Sequence, residues 1–278
     1  MIEQNTGTRR QRGNQGEKLA IHALLGSKKI LYLISLLIFF GLWQLVHITG
    51  YHGQSISGPL QVIQELVKMS GDELAGHTIF GHLWISFRRV IIAFGIAVVI
   101  GVPLGVLMGF SPIANAIVRP VFELFKPMPP ISWISLAILW FGISETSKVF
   151  IILIGALVPL IINCYNGIRV VDEELYHVIR MLGGNRRDEI IKVMFPASFP
   201  TIFAGLQISL SMAWGSVLAA EMVGAREGVG FIIIAGMNQN DTAMIFAGMV
   251  IIALTAFAIS AGLSYLERWI CPWKTDLN

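Results

Sequence analysis

Val90–Phe110, VIIAFGIAVVIGVPLGVLMGF, carries no charged side chain. As a helix rising about 1.5 Å per residue it covers roughly the 30 Å of a bilayer's hydrocarbon layer. Small residues recur at every fourth position in it, Ala93, Ala97, Gly101, Gly105 and Gly109, so one face lets another backbone come close. Pro103 predicts a bend near the middle. The reading is a membrane-spanning helix with a packing seam, either within one subunit or against a second copy.

Working outward, Ile30–Ile48, Phe199–Ala220 and Ala243–Leu266 are uncharged runs of similar length. Val149–Tyr165 is shorter and holds Pro159 and Asn163, which predicts a kinked span. Ile131–Ile143 is too short to cross alone and follows Pro127, Pro129 and Pro130; it borrows length from Pro112–Phe125, which carries Arg119 and Glu123. The expected fold class is all-α, a polytopic membrane helix bundle of about six transmembrane helices. A hydrophobic content of 55% against 13% charged, with a mean hydropathy of +0.70, excludes a disulfide mini-protein, a disordered chain or a coiled coil. A net charge of +3 gives no reason to expect nucleic acid as a partner, and the lipid bilayer is the expected solvent.

Basic residues resist translocation, so their distribution sets orientation. With the N-terminus inside and six spans alternating, fifteen of the twenty Lys and Arg fall on the cytoplasmic side, leaving Lys68, Arg88, Arg89, Lys148 and Arg226 outside. Both termini are therefore expected in the cytoplasm. The domain reading is a cytoplasmic tail at residues 1–29, a transmembrane region at 30–268 with a cytoplasmic loop at 169–196, and a second tail at 269–278. The first apolar run is too long for a cleaved signal and reads as a retained anchor.

Polar residues within or beside the spans are the candidate path. Arg88 and Arg89 at the outer end of the second span read as interfacial snorkelling or as an electropositive mouth for anions. Glu221 reads as a structural ion pair or a gate. Asn163, Gln207, Ser209, Ser211 and Trp214 read as pore lining or as interhelical hydrogen bonds. There is no GxxxxGK[ST] phosphate loop, no HExxH, and no metal-ligand spacing among the six histidines. Cys164 and Cys271 form no CxxC pair. No catalytic residue, metal or cofactor is expected in this chain.

The loop is the most informative segment. Asp172 is suited to cap a helix whose first turn holds Glu173 and Glu174, where the helix dipole favours acids. Gly183 and Gly184 predict its end, and Asn185 predicts the cap of a second helix running to a break at Pro196. Leu175, Val178, Ile179 and Leu182 form one apolar stripe on the first helix, free to dock on the chain's own spans or in a groove of another protein.

Aligned on Gly183 and Pro196, the loop residues His177, Val178, Ile179, Gly183, Val193, Phe195 and Pro196 resemble the coupling loop of permease subunits in ATP-binding-cassette importers. That pattern is EAA, three residues, Gly, nine residues, I-x-L-P. His177 stands where the family has Glu. Three further stretches resemble the nitrate, sulfonate, taurine and bicarbonate branch: SFRRVIIAFGIAVVIGVPLGVLMGF from Ser86, RPVFELFKPMPPISWISLAILWFGISETSK from Arg119, and AAEMVGAREGVGFII from Ala219. The resemblance covers about residues 57–266.

It implies the type I importer permease fold in a bacterial plasma membrane. Two permease copies would form the path, with two cytoplasmic ATPase subunits that bind ATP and Mg, and an extracytoplasmic solute-binding protein that delivers cargo. Asp172, Glu173, Glu174, Leu175, His177, Val178, Ile179, Arg180, Leu182 and Gly183 would couple the chain to the ATPase. The implied cargo is a small anion, foremost a sulfonate such as taurine or an alkanesulfonate. Nitrate, bicarbonate or a pyrimidine vitamin precursor are alternatives within the class. A self-sufficient secondary carrier would need an intramembrane ion site, and a membrane enzyme a cluster of polar residues.

Overall fold

The computed structural model describes residues 28–50 and 56–271. The rest of the expected tails, residues 1–27 and 272–278, lies outside the described residues, as do His22 and His52. The chain divides into two units, Met1–Gln64 and Glu65–Asn278.

In the first unit, α1 (Lys28–Thr49) is an apolar helix whose side chains, Leu33, Leu37 and Phe39 among them, are exposed, as lipid-facing residues are. The indole of Trp43 donates to the carbonyl of Ser57 (3.0 Å), and a ring nitrogen of His47 lies 2.8 Å from the carbonyl of Ile56, which turns the chain back along the end of α1. Helix α2 (Pro59–Gly71) starts with proline at a position that needs no amide donor and runs on into the second unit.

The second unit is built around α6. Its described helices are α3 (Ile79–Phe110), α4 (Pro112–Phe125), α5 (Ile134–Phe141), α6 (Glu145–Arg169), α7 (Glu173–Met181), α8 (Arg186–Glu221), α9 (Val229–Asn238) and α10 (Thr242–Ile270). Helix α6 packs along α3 on one side and α8 on the other, and α10 closes over α8 and α9. Val90, Ala93, Ala97, Ile152, Ala156, Leu160, Ala213 and Val217 are buried where α3, α6 and α8 meet. Five described helices are long and apolar enough to cross a membrane, and the count reaches six with α4 and the segment Pro130–Phe141 taken as one broken span. That pair is bent by 86°, because Pro127, Pro129 and Pro130 interrupt the backbone ladder.

The small-residue seam of α3 lies against α6 inside this chain. A side chain at Gly105 would meet Cys164 Cβ at 2.6 Å and the Ile161 carbonyl at 2.7 Å, so only a hydrogen fits between the two backbones.

Three features depart from the sequence expectations. Helix α3 begins at Ile79 rather than Val90, so Arg89 lies ten residues inside it. The helix at Asn185 does not break at Pro196: it passes through a π-helical stretch, Glu189–Met194, and continues as α8. The wider turn sits just where proline lacks an amide and would crowd the carbonyl four residues back. Helices α2 and α9 were not anticipated; α9 is apolar and buried but only ten residues long, below any spanning threshold.

Candidate functional site: a buried ionic cluster and an exposed elbow

His82, Ser86 and Arg89 follow one another at spacings of four and three on α3, so they share a helix face. That face turns inward. The Arg89 side chain is 1% exposed and that of Glu221 is fully buried. Arg89 grips the Glu145 carboxylate with two parallel bonds, Nε to Oε2 at 2.6 Å and Nη2 to Oε1 at 2.7 Å. Its Nη1 donates to Glu221 Oε1 at 2.8 Å and to the Glu227 carbonyl at 3.1 Å, and Nη2 reaches Glu227 Oε1 at 3.2 Å. Planar, bidentate pairing of this kind suits a guanidinium and would not survive exchange for lysine.

The carboxylate of Glu221 is answered from three sides. Ser86 Oγ donates to it at 2.7 Å and the amide of Gly230 at 2.9 Å, beside the Arg89 bond. Ser86 Oγ in turn accepts from the amide of Val229 at 2.9 Å. The amide of Gly228 donates to His82 Nδ1 at 3.0 Å, and His82 Nε2 donates to the carbonyl of Leu74 at 2.9 Å. An amide only donates and a carbonyl only accepts, so these partners define a neutral imidazole with its proton on Nε2. Gly228 sits at φ +111°, and a β-carbon there would run into the Glu221 carboxylate, so glycine is required on both counts. The cluster fastens α3, the start of α6, the end of α8 and the start of α9 together.

This arrangement corrects two readings of Arg89. It does not snorkel to an interface, because it is buried. Nor is Arg89 free to serve an electropositive mouth: Arg89 and Lys148, which bonds Glu145 at 2.7 Å, face Glu145, Glu221 and Glu227. Glu221 is a structural ion-pair member. Arg88 is exposed. Glu145, Glu227, Ser86 and His82 were not singled out from sequence. The available signal was the His82, Ser86, Arg89 spacing on a helix, which needs an inward face to be noticed.

The other path candidates are dispersed. Asn163 donates to the Pro159 carbonyl of its own helix at 2.8 Å. Gln207 donates to Glu267 at 3.0 Å, linking α8 to α10. Trp214 is buried and donates to the Ile252 carbonyl at 3.1 Å, and Ser209 donates to the Ala156 carbonyl at 2.7 Å. These four act as bonds within or between helices. Ser211 is exposed on a face of α8 that also shows Ile208, Met212, Gly215 and Met222.

At the opposite end of the bundle, α7 and the first turns of α8 form the elbow. The Asp172 side chain accepts from the amide of Glu174 at 3.1 Å and caps α7. Gly183, at φ +81°, turns the chain in the left-handed region, and the Gly184 amide returns to the Ile179 carbonyl at 2.9 Å. The Asn185 side chain accepts from the amides of Arg187 and Asp188, opening the second arm. The arms are braced by the buried carboxylate of Glu189, which receives Arg180 at 2.6 Å and Arg186 at 3.0 Å. The hydrogen bond to Glu189 raises the Arg180 pKa above its ordinary value, so this brace is charged at any physiological pH.

The apolar stripe faces outward. Met181 is 88% and Leu182 81% exposed, and Leu175 and Val178 are about half exposed. Ile179 is the most covered residue of the stripe, and Met181 adds to its exposed apolar surface. Within the second unit the stripe does not dock on the spans.

Residues 101–275 match the family described as binding-protein-dependent transport system inner membrane component. The taurine transport system permease protein TauC of Escherichia coli is 33% identical over 79% of this chain and 80% of its own length. The putative aliphatic sulfonates transport permease protein SsuC of Bacillus subtilis is 32% identical over 86% of each chain. Among solved structures, the MetNI methionine ABC transporter in an inward-facing conformation covers 67% of this chain and 93% of its own, at a TM-score of 0.59 and 18% identity.

Proposed function

We infer function from a premise of membership: this chain belongs to the binding-protein-dependent transport system inner membrane components, and it is a multi-pass transport permease. The finer reading is the membrane subunit of an ATP-driven importer for a small anion, foremost a sulfonate such as taurine or an alkanesulfonate. Two copies would form the path, the exposed face of α8 with Ser211 and Gly215 contributing to it. Two cytoplasmic ATPase subunits would bind ATP and Mg, and an extracytoplasmic binding protein would deliver the cargo. Both termini would lie in the cytoplasm, on the side of the elbow.

The observation that carries this reading is the elbow. A braced corner presents Leu175, Val178, Met181 and Leu182 to the outside, at the end of a helix pair continuous with the spans α6 and α8. Exposed apolar side chains on a rigid support are the mark of a docking surface, here for a helix held in a groove. Closure of a nucleotide-bound ATPase pair around this handle supplies differential binding energy, and α6 and α8 transmit the displacement. The chain supplies path and lever; hydrolysis belongs to the partner.

The test is reconstitution of the permease with its ATPase and binding protein in liposomes, with taurine, an alkanesulfonate, nitrate and bicarbonate as separate cargoes. Uptake of a sulfonate is expected to stop when an ATPase variant that binds but cannot hydrolyse ATP is used. Sulfonate uptake that continues without hydrolysis would overturn the importer reading in favour of a secondary carrier.

A further inference from the structure

Beside the elbow end of the bundle, where α3 ends, α4 begins and α6 approaches the loop, lies a cavity of about 200 Å³. Its floor is apolar, with Met108, Ile161 and Phe122, and its wall is polar, with Asn115, Arg119, Glu123, Lys126, Tyr165 and Asn166. A second recess of about 400 Å³ shares Asn115, Arg119 and Glu123 with it and adds Arg169. Arg119 and Glu123 lie on the rim the two share, while Lys126 lines only the cavity and Arg169 only the recess, so three cations stand around one carboxylate across the pair. Glu123 pairs with Lys126 at 3.3 Å and only loosely with Arg119 at 3.8 Å, and the Arg169 guanidinium lies 5.9 Å from the Tyr165 ring. Inside, Asn115 Oδ1 is buried and meets no hydrogen-bond partner among the described residues, a costly state for an acceptor that a bound donor would relieve.

The location narrows the ligand. The outer face of α4 is lined by Ile113, Ile117, Val121 and Leu124, all more than half exposed, so the helix lies with this face to an apolar surrounding and its basic face to the cavity. A basic pocket between membrane helices, at the depth where a helix turns from lipid to water, suits a lipid headgroup. We propose that this cavity is a binding site for a tetrahedral oxyanion that carries an amine or hydroxyl a few bonds away. The oxygens meet Arg119 and Lys126, with Arg169 in the adjoining recess, and the donor meets Asn115 Oδ1. Two sources share that chemistry: the headgroup of a phospholipid bearing ethanolamine or glycerol, and a free aminosulfonate. Only the second rests on the importer reading above. The site ends three residues before the Asp172 cap, so its occupant is held against the root of the elbow.

The experiment is native mass spectrometry of the purified permease–ATPase complex, titrated with phosphatidylglycerol and phosphatidylethanolamine and challenged with taurine or inorganic phosphate. The wild-type complex is expected to retain bound phospholipid that excess inorganic phosphate removes, a result that needs no variant. Arg119→Gln and Asn115→Leu are each expected to lower retention at least fivefold, and Arg119→Lys to keep most of it. Displacement of lipid by millimolar taurine assigns the site to free oxyanions as well, and resistance to taurine assigns it to lipid alone. Retention that is the same in wild type, Arg119→Gln and Asn115→Leu, and indifferent to phosphate, overturns the site. Because retention is read without transport, a failure here is distinct from a failure of the uptake test.

Discussion

At one end of the bundle, Arg89 and Glu221 are buried and every charge on them is answered by a neighbour in the same chain. At the other end, Met181 and Leu182 stand exposed, with no side chain among the described residues covering them. Burying an ion costs several kcal/mol, on the order of the whole stability of a domain, unless partners repay it. The first end is thus complete in itself and holds α3, α6, α8 and α9 in fixed relation. The second, on the function proposed above, is completed by another protein. Changes at the first should register as loss of folded permease; changes at the second should leave the permease intact and register in what it does with its ATPase.

The largest effect is expected from Arg89→Met. It strands Glu221 in the interior and removes both bonds to Glu145, a loss of about 3–5 kcal/mol for a broken buried pair. The expected result is a sharp fall in folded, detergent-extractable protein and a lowered thermal midpoint. Arg89→Met combined with Glu221→Gln should recover part of that loss, since the amide keeps its contacts with Ser86 and Gly230 while shedding the charge. An unchanged midpoint for the single variant would show that the cluster is not what holds this end together.

Gly183→Val strikes the other end. Its φ of +81° is strained for a β-branched residue, so the corner should open and the brace between Arg180 and Glu189 loosen. Folded yield should stay near wild type while ATP-driven uptake falls at least tenfold and ATPase activity no longer responds to cargo. Loss of yield equal to that of Arg89→Met would erase the distinction between the ends.

Sequence and structure agree where the signal is local and differ where it is not. The spans were legible because a bilayer demands long uncharged runs, and the elbow because Asp172, Gly183 and Asn185 each satisfy a backbone requirement within a few residues. The ionic cluster was hidden because Arg89 meets Glu145, Glu221 and Glu227 across separations of 56 to 138 residues, which no spacing rule reaches. Arg89 and Glu221 read in the sequence as charges at span ends, a position that accounts for a charge without any partner. Helix α9 differs for another reason: VGFIIIAGMN is apolar but too short to read as a span. The seam of α3 lay between these cases, legible as packing but silent on its partner. Gly105→Val tests it as an intermediate effect, about 1–3 kcal/mol of overpacking against α6, read as a smaller midpoint shift than Arg89→Met gives.

The smallest effect is expected at His177, where the related coupling loops carry Glu. The side chain is exposed on α7, one position from the apolar stripe rather than within it. His177→Glu would add an i,i+3 attraction to Arg180 and a repulsion from Glu173 and Glu174 on the preceding turn, each a few tenths of a kcal/mol and opposite in sign. If the elbow is held in its groove by Leu175, Val178, Met181 and Leu182, ATP-driven uptake should change less than twofold. A tenfold gain would mean that the partner offers a cation at this position. Charge would then share in docking at the exposed end, and the contrast between an ionic interior at one end and an apolar handle at the other would have to be redrawn.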